Sequence, residues 1–206
     1  MKSVMCVYSG GVMFRLLNTY RQIAFLISFL LLCLLPLAAQ AELRLPALIS
    51  DNMVLQQHSN ARLWGRAEPG STVVAHIAGH ESRALTDKQG AWEILLPQLP
   101  KGKHTLLIEE RFQTDVLSGV KINDVAVGEV WLASGQSNME WPLGKSSGAE
   151  HVADLLQDTD LRFFVVSHQT ALTPQTDVHG YWVKVTADNA LALSGVGFYF
   201  AEQLQR

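Results

Sequence analysis

Three patterns of hydrophobic and polar positions follow one another along the chain. The first is an apolar run from Ile23 to Leu35, broken only by Ser28 and preceded by Lys2, Arg15 and Arg21 and by no Asp or Glu. Pro36 and the small triplet Ala39-Gln40-Ala41 close it. A basic flank, a short apolar stretch and an A-x-A site are the parts of a secretory signal peptide, which puts cleavage after Ala41. The run is shorter than the ~20 apolar residues a spanning helix needs. An uncleaved anchor is the alternative, and a start at Met13 would leave a more ordinary basic flank.

The second pattern, from 43 to about 122, is a series of short segments punctuated by Gly and Pro. Ala61–Gly65 alternates, and Glu68-Pro69-Gly70 is a turn in which Pro sets φ and Gly tolerates its positive range. Ser71–Ile77 is rich in β-branched residues. Asp87-Lys88-Gln89-Gly90 is a second turn, followed by Ala91–Pro97. Lys101-Gly102-Lys103 then leads into His104–Ile108. Short strands at this spacing predict a small β-sandwich over 42–122.

The third pattern begins near 123. Val125–Ala133 is almost continuously apolar, as in a strand buried on both faces of a parallel α/β sheet. A small polar loop, Ser134–Met139, comes next. Ala149–Leu156 reads as a helix, Leu161–Val166 as a strand and Val196–Leu204 as a helix. Strand, loop, helix and strand open a doubly wound α/β domain, here 123–206. The expected class is therefore α/β: a leader, a β-sandwich and the beginning of a three-layer α/β/α domain. Two strands cannot cover the faces of such a sheet, so the expectation is the N-terminal part of a longer protein.

Composition narrows the functions. At 206 residues, 48% hydrophobic and 17% charged, the chain is globular rather than disordered. A formal charge of −3 argues against nucleic acid as a partner. The first 41 residues hold three basic side chains and no acidic one, so the remainder is more acidic still. Both cysteines, Cys6 and Cys33, lie in the leader. Removing it excludes thiol nucleophiles, disulfides and Cys-based zinc sites, as suits an exported domain stabilised by its core. After cleavage no stable membrane insertion is expected.

One residue is placed for chemistry. Ligands of open α/β sheets sit beyond the carboxyl ends of the strands, and Ser137 follows such a strand. Gly135 would ease a tight turn, and backbone N–H groups there could face an oxyanion. Ser137 is a candidate nucleophile if a base takes its proton. The alternative is a turn residue or helix cap. The segment is not a G-x-S-x-G elbow, because Met139 stands at the second Gly. Asn138 and Glu140 are expected to fix the loop by hydrogen bonds. Trp64, Trp92, Trp131, Trp141 and Trp182 could line a sugar site by stacking on apolar sugar faces, but core burial is the commoner fate; Trp141 is the exception, set apart by its nearness to Ser137. Asp154, Asp158 and Asp160 read as a solvated helix end without a calcium-loop pattern.

The segment Gly128-Glu129-Val130-Trp131-Leu132-Ala133-Ser134-Gly135-Gln136-Ser137-Asn138-Met139-Glu140 resembles the nucleophile block of the sialate O-acetylesterases, a branch of the SGNH hydrolases. Asp51-Asn52-Met53-Val54-Leu55-Gln56-Gln57, Trp64–Gly70 and Asp87–Trp92 are similar to the leading β-sandwich of that family. Leu193-Ser194-Gly195-Val196-Gly197-Phe198-Tyr199-Phe200-Ala201 is similar to the helix that follows. The resemblance covers essentially all of 43–206. It implies an exported esterase that removes O-acetyl groups from sialic acid, or from acetylated polysaccharide, through an acyl-serine intermediate. Ser137 is then the nucleophile, with Gly135, Gln136 and Asn138 shaping its loop and the Ser137 N–H as an oxyanion donor. No cofactor or metal is implied, and the partner is an O-acetylated sugar.

The family base is a His in an Asp-x-x-His block near the C-terminus. None of the seven histidines has an Asp three residues before it. His58, His76, His80, His104, His151, His168 and His179 read as structural or solvated. The expectation is that residues 42–206 alone are inactive and poorly soluble. The other readings are an inactive remnant acting as a carbohydrate-binding or interaction module, and a membrane-tethered scaffold.

Overall fold

The computed structural model describes residues 42–157 and 159–205. The expected leader, with both cysteines, lies outside the described residues, as does Asp158.

Among the described residues nine strands carry the fold: β1 (Val54–Gln56), β2 (Ala61–Arg66), β3 (Thr72–Ile77), β4 (His80–Leu85), β5 (Ala91–Leu96), β6 (Gly102–Phe112), β7 (Asp115–Gly128), β8 (Arg162–Val166) and β9 (Gly180–Lys184). Helices are short: α1 (Val152–Leu155), α2 (Ala187–Ala190) and α3 (Gly195–Gln205), with 3-10 turns at Ser137–Glu140, Leu143–Lys145 and Ala149–His151. This is a mostly-sheet α/β protein with a mixed sheet and few helices.

The main sheet has the order β1-β7-β6-β3-β4. Its pairings are antiparallel except for β1 beside β7, which is parallel. β2 and β5 form a separate antiparallel pair. Period-two alternation sends one face of each strand into a common core. Leu63, Ile94 and Leu96 come from the pair, and Val73, Ala75, Ile77, Leu106, Ile108, Ile122, Val125 and Val127 from the main sheet. The Trp92 indole N–H in this core has no hydrogen-bond partner among the described residues, whereas the buried carboxylate is satisfied. Glu110 is buried, and its carboxylate accepts from the Glu68 N–H at 2.7 Å and from the Ser118 hydroxyl at 2.9 Å. Gly65 marks a close approach, since a Cβ there would lie 2.4 Å from the Arg44 carbonyl oxygen and 2.7 Å from the Trp92 ring.

A smaller core lies C-terminal to this, built from Leu143, Val152, Leu161, Val185, Ala190 and Phe198. β8 and β9 pair antiparallel, with residues 167–179 joining them. The connection and β9 are both held to the N-terminal segment: the Ala47 N–H donates to Asp177 at 3.0 Å, and the Trp182 indole N–H of β9 donates to the Leu48 carbonyl at 2.8 Å.

An ion cluster joins β6, β7, β8 and β9. The Arg162 side chain is fully buried and donates to the Asp124 carbonyl, to Asp124 Oδ1 at 3.0 Å and to Asp160 Oδ2 at 3.1 Å. Lys103 meets Asp160 at 3.2 Å, and Lys184 lies 3.8 Å from Asp124 and 3.6 Å from Asp160. Burial acts to raise the Asp160 pKa, but hydrogen bonds from Arg162 and Lys103 hold it below the usual carboxylate value. Asp160 is thus not part of a solvated helix end. The exposed Asp154 does stand on the surface.

The expected two-face burial of Val125–Ala133 is not observed. Only Val125–Gly128 is strand, as the end of β7, and burial there alternates. The reason is the partner: β1 stops at Gln56, opposite Gly128, and the ladder stops with it. Beyond it Val130, Trp131 and Leu132 are open to solvent, Leu132 at 94%. Among the described residues the one parallel pairing is β1 with β7. β8 pairs antiparallel with β9 and shares no ladder with β7, so the parallel neighbour expected for the Val125–Ala133 strand across the 149–156 helix is not formed among the described residues.

Candidate active site

The approach to Ser137 is pinned from the first sheet. Asp51 accepts from the Asn123 N–H at 2.7 Å, Asn52 donates to the Asn123 carbonyl at 3.1 Å, and Met53 is buried beneath. This sets β1 beside the end of β7. Gln57 and Gln56 then donate to the Glu129 carboxylate at 2.6 and 3.1 Å, and the Val130 N–H donates to the Gln56 side chain at 2.8 Å. The hydrogen bonds from Gln57 and Gln56 lower the pKa of Glu129. Trp131 then meets Phe200 edge-on, with ring centroids 5.3 Å apart.

Ser134 to Asn138 are exposed. Gln136 is extended and precedes the 3-10 turn Ser137–Glu140. The Met139 N–H donates to the Gln136 carbonyl at 2.9 Å, and the Trp141 N–H to the Asn138 carbonyl at 3.2 Å. The N–H groups of Ser137 and Asn138 have no carbonyl partner among the described residues. That is the usual state of the first donors of a helical turn. Gly135 has no left-handed φ, and a Cβ there would touch Met139 only at an ordinary 3.8 Å. The tight turn expected at this glycine is therefore not required by its own backbone.

The C-terminal side of the turn is docked on the segment leading into α3. The Gly195 N–H donates to the Trp141 carbonyl at 2.9 Å, and the Ser194 hydroxyl points to Met139 Sδ at 3.7 Å. Leu143 and Gly144 donate to the Leu193 and Leu191 carbonyls at 2.8 and 2.9 Å. A Cβ on Gly195 would fall 2.5 Å from Ser146 Oγ, so this contact needs glycine. The Ser194-Gly195 pair at the start of α3 serves as the seat of the Ser137 turn.

Glu140 fixes the loop as expected, but through a partner the sequence does not reveal. Its carboxylate is hydrogen-bonded to His168 Nε2. His168 lies 28 residues further on, just past β8, and no local pattern links the two. The Glu140 carboxylate raises the His168 pKa by that hydrogen bond and by its charge. The Asn138 side chain has no hydrogen bond among the described residues, so its contribution is the backbone carbonyl alone.

The remaining histidines are placed elsewhere. His76 lies 3.8 Å from both Glu81 and Glu109, His104 bonds the Pro100 carbonyl at 2.9 Å, and His151 sits 3.7 Å from Glu150. Among the described residues no histidine is hydrogen-bonded to the Ser137 hydroxyl, and no three His, Cys, Asp or Glu side chains are grouped to hold a metal ion. No described helix is long and apolar enough to cross a membrane.

No family model matches the chain. Individual relatives do. The mouse sialate O-acetylesterase is 30% identical over 158 residues, which are 71% of this chain and 29% of that protein. The rat sialate O-acetylesterase is 32% identical over the same length and shares. The human protein of that name is 30% identical over 105 residues, 47% of this chain and 20% of its own. A carbohydrate acetylesterase from Xanthomonas citri has a similar solved structure, with TM-score 0.73 and 33% identity over 79% of this chain and 37% of that one. The chain thus spans under a third of the length of the rodent relatives. With agreement in sequence and in fold over most of its residues, the chain belongs to the sialate O-acetylesterase family.

Proposed function

We propose that this chain carries the nucleophile-bearing part of an exported carbohydrate esterase. Ser137 Oγ attacks the carbonyl of an O-acetyl group on a sugar, sialic acid or an acetylated polysaccharide. The alkoxide of the sugar departs and an acetyl-serine remains, which water then hydrolyses to acetate. The observation that carries this reading is the exposed Ser137 at the head of a turn held on both sides. The backbone N–H groups of Ser137 and Asn138 have no partner there among the described residues, beside the point where an oxyanion would form. Gln136 and Gly135 lead the chain into the turn. The base that takes the Ser137 proton is the His of the family's Asp-x-x-His block, which lies in no part of this sequence.

The same reading takes 1–41 as an export signal and 42–122 as a β-sandwich. Residues 123–206 are then the first part of an SGNH-type hydrolase domain. The shared core between the β2–β5 pair and the main sheet supports the sandwich.

Acetate release from O-acetylated sialic acid and acetylated xylan tests the site in a family-length protein that contains this chain. Ser137→Ala should lower turnover about 10⁴-fold or more, the scale for removing a serine nucleophile. Undiminished hydrolysis in that variant would refute the assignment. Absence of hydrolysis in the parent would leave a sugar-binding module instead.

A further inference from the structure

The connection Ser167–His179 is exposed along its whole length and holds no helix or strand. Connections this long without secondary structure are uncommon in compact domains and are usually functional. This one is closed at its base. β8 and β9 pair as far as Val166 and Gly180, and the Ser167 N–H then donates to the His179 carbonyl at 2.8 Å. One step further along the same register stand His168 on one arm and Val178 on the other. His168 grips Glu140, the last residue of the 3-10 turn that Ser137 opens. The Val178 N–H donates to Asp177 Oδ1 at 2.8 Å.

The same Asp177 oxygen accepts from the Ala47 N–H at 3.0 Å. Ala47 lies in a stretch that is fastened to the first core. Leu43 and Ile49 on either side are buried in it, and Arg44 exchanges backbone hydrogen bonds with Arg66 of β2 at 2.8 and 2.9 Å. Trp64 of β2 adds a weaker hold, its indole N–H donating to the Thr176 carbonyl at 3.4 Å. A series of directional contacts therefore runs from the first core through Ala47, Asp177 and His168 to Glu140. It is separate from the tie of Gln56 and Gln57 to Glu129, which reaches the turn from its upstream side.

We infer that residues 167–179 are a strap through which the N-terminal sheets position the Ser137 turn, with Asp177 and His168 as the positioning residues at its two grips. Both act through the turn rather than on substrate. The catalytic consequence rests on the esterase reading, because only there does the setting of Ser137 govern a rate. Small displacements of a reacting group are costly, up to about 100-fold for 1 Å. Grips in series also behave distinctively. Releasing either frees the turn, and releasing the second adds nothing.

The test uses a family-length protein that contains this chain, read by kinetics on an acetylated sugar and by amide exchange over 137–141. His168→Ala and Asp177→Ala should each lower kcat about tenfold, the scale of one charge-assisted hydrogen bond, with KM held within about twofold. Exchange over 137–141 should quicken in both, while β3 and β6 stay as protected as in the parent, which separates local release from unfolding. The double variant should match the weaker single one. Asp177→Asn keeps an acceptor for Ala47 and Val178, and His168→Gln keeps a donor for Glu140, so both should restore kcat. Losses that multiply to about 100-fold, as independent sites do, overturn the inference. So does an Asp177→Ala protein whose exchange over 137–141 is unchanged. Failure of the esterase reading is separable. Ester hydrolysis that survives Ser137→Ala defeats that reading, and exchange still decides whether the strap holds the turn. Hydrolysis that needs Ser137 but ignores Asp177→Ala defeats only the strap.

Discussion

The two cores of this molecule are built by different means. The first gathers eighteen buried apolar residues from six strands, β1 to β3 and β5 to β7, and their flanking segments, with β ladders running through it. The second gathers six, one from a 3-10 turn, two from residues flanking β8 and β9 and three from the short helices. Around it Trp131, Leu132, Val196, Phe200 and Leu204 remain in water. The candidate nucleophile belongs to the second. Its turn is positioned less by burial than by backbone hydrogen bonds to 191–195 and by the Gln56–Gln57–Glu129 tie. Where buried area is small, directional bonds fix geometry while contributing only about 1 kcal/mol each. A site can thus be well placed in a part of the protein that is not very stable, as lids and binding loops commonly are.

The largest effects that would break this contrast come from core truncation. Leu63→Ala should cost about 2–5 kcal/mol and Phe198→Ala about 3–5 kcal/mol, but in different places. Amide exchange should show Leu63→Ala lowering protection throughout β3 and β6. Phe198→Ala should strip protection from Leu143 and Gly144 and leave β3 and β6 intact. If Phe198→Ala loosens β3 equally, the two cores unfold as one and the contrast is wrong.

The junction comes next. Arg162→Met leaves Asp124 and Asp160 facing each other with only the lysines for compensation. Both acids keep about a third of their surface in water, so the expected loss is about 2–3 kcal/mol, below that for a wholly buried pair. A urea midpoint that does not move would mean the regions are joined by packing rather than by charge.

The smallest effect sharpens the picture at the site. The His168 pKa is raised from 6.5 by Glu140. The tie is therefore complete below the unperturbed value and is lost as pH rises through the raised one. Protection factors of the Met139 and Trp141 amides should be higher at pH 6 than at pH 8, and Glu140→Gln should flatten the difference. An equal pH response in that variant would assign it to another group.

Legibility in the sequence follows the same division. Strands with strong β-branched content and Gly or Pro borders, such as Ser71–Ile77 and Ala91–Leu96, were readable to within a residue. β4 was not. His80-Glu81-Ser82-Arg83-Ala84-Leu85 is a polar edge strand, and one unpaired side removes the need for an alternating apolar face. Val125–Ala133 misled because apolar composition alone does not say whether a partner strand extends that far. At the site, the Ser137 loop and the Leu193–Ala201 segment were each visible as local patterns. Their docking, and the Glu140–His168 contact, depend on tertiary geometry that no periodicity encodes.

The parallel pairing of β1 with β7 also bears on how the molecule forms. Gln57 and Glu129 are 72 residues apart. Closing a flexible loop of that length costs roughly 4 kcal/mol from the chain-length dependence alone. Non-local contacts of this kind form late, once intervening hairpins have shortened the distance. β2 to β7 do so here, each pairing with strands that lie between the two ends. The Ser137 loop is consequently organised only after the preceding sheet has closed. During synthesis, a nascent chain whose sheet has failed to fold does not present an ordered Ser137 turn.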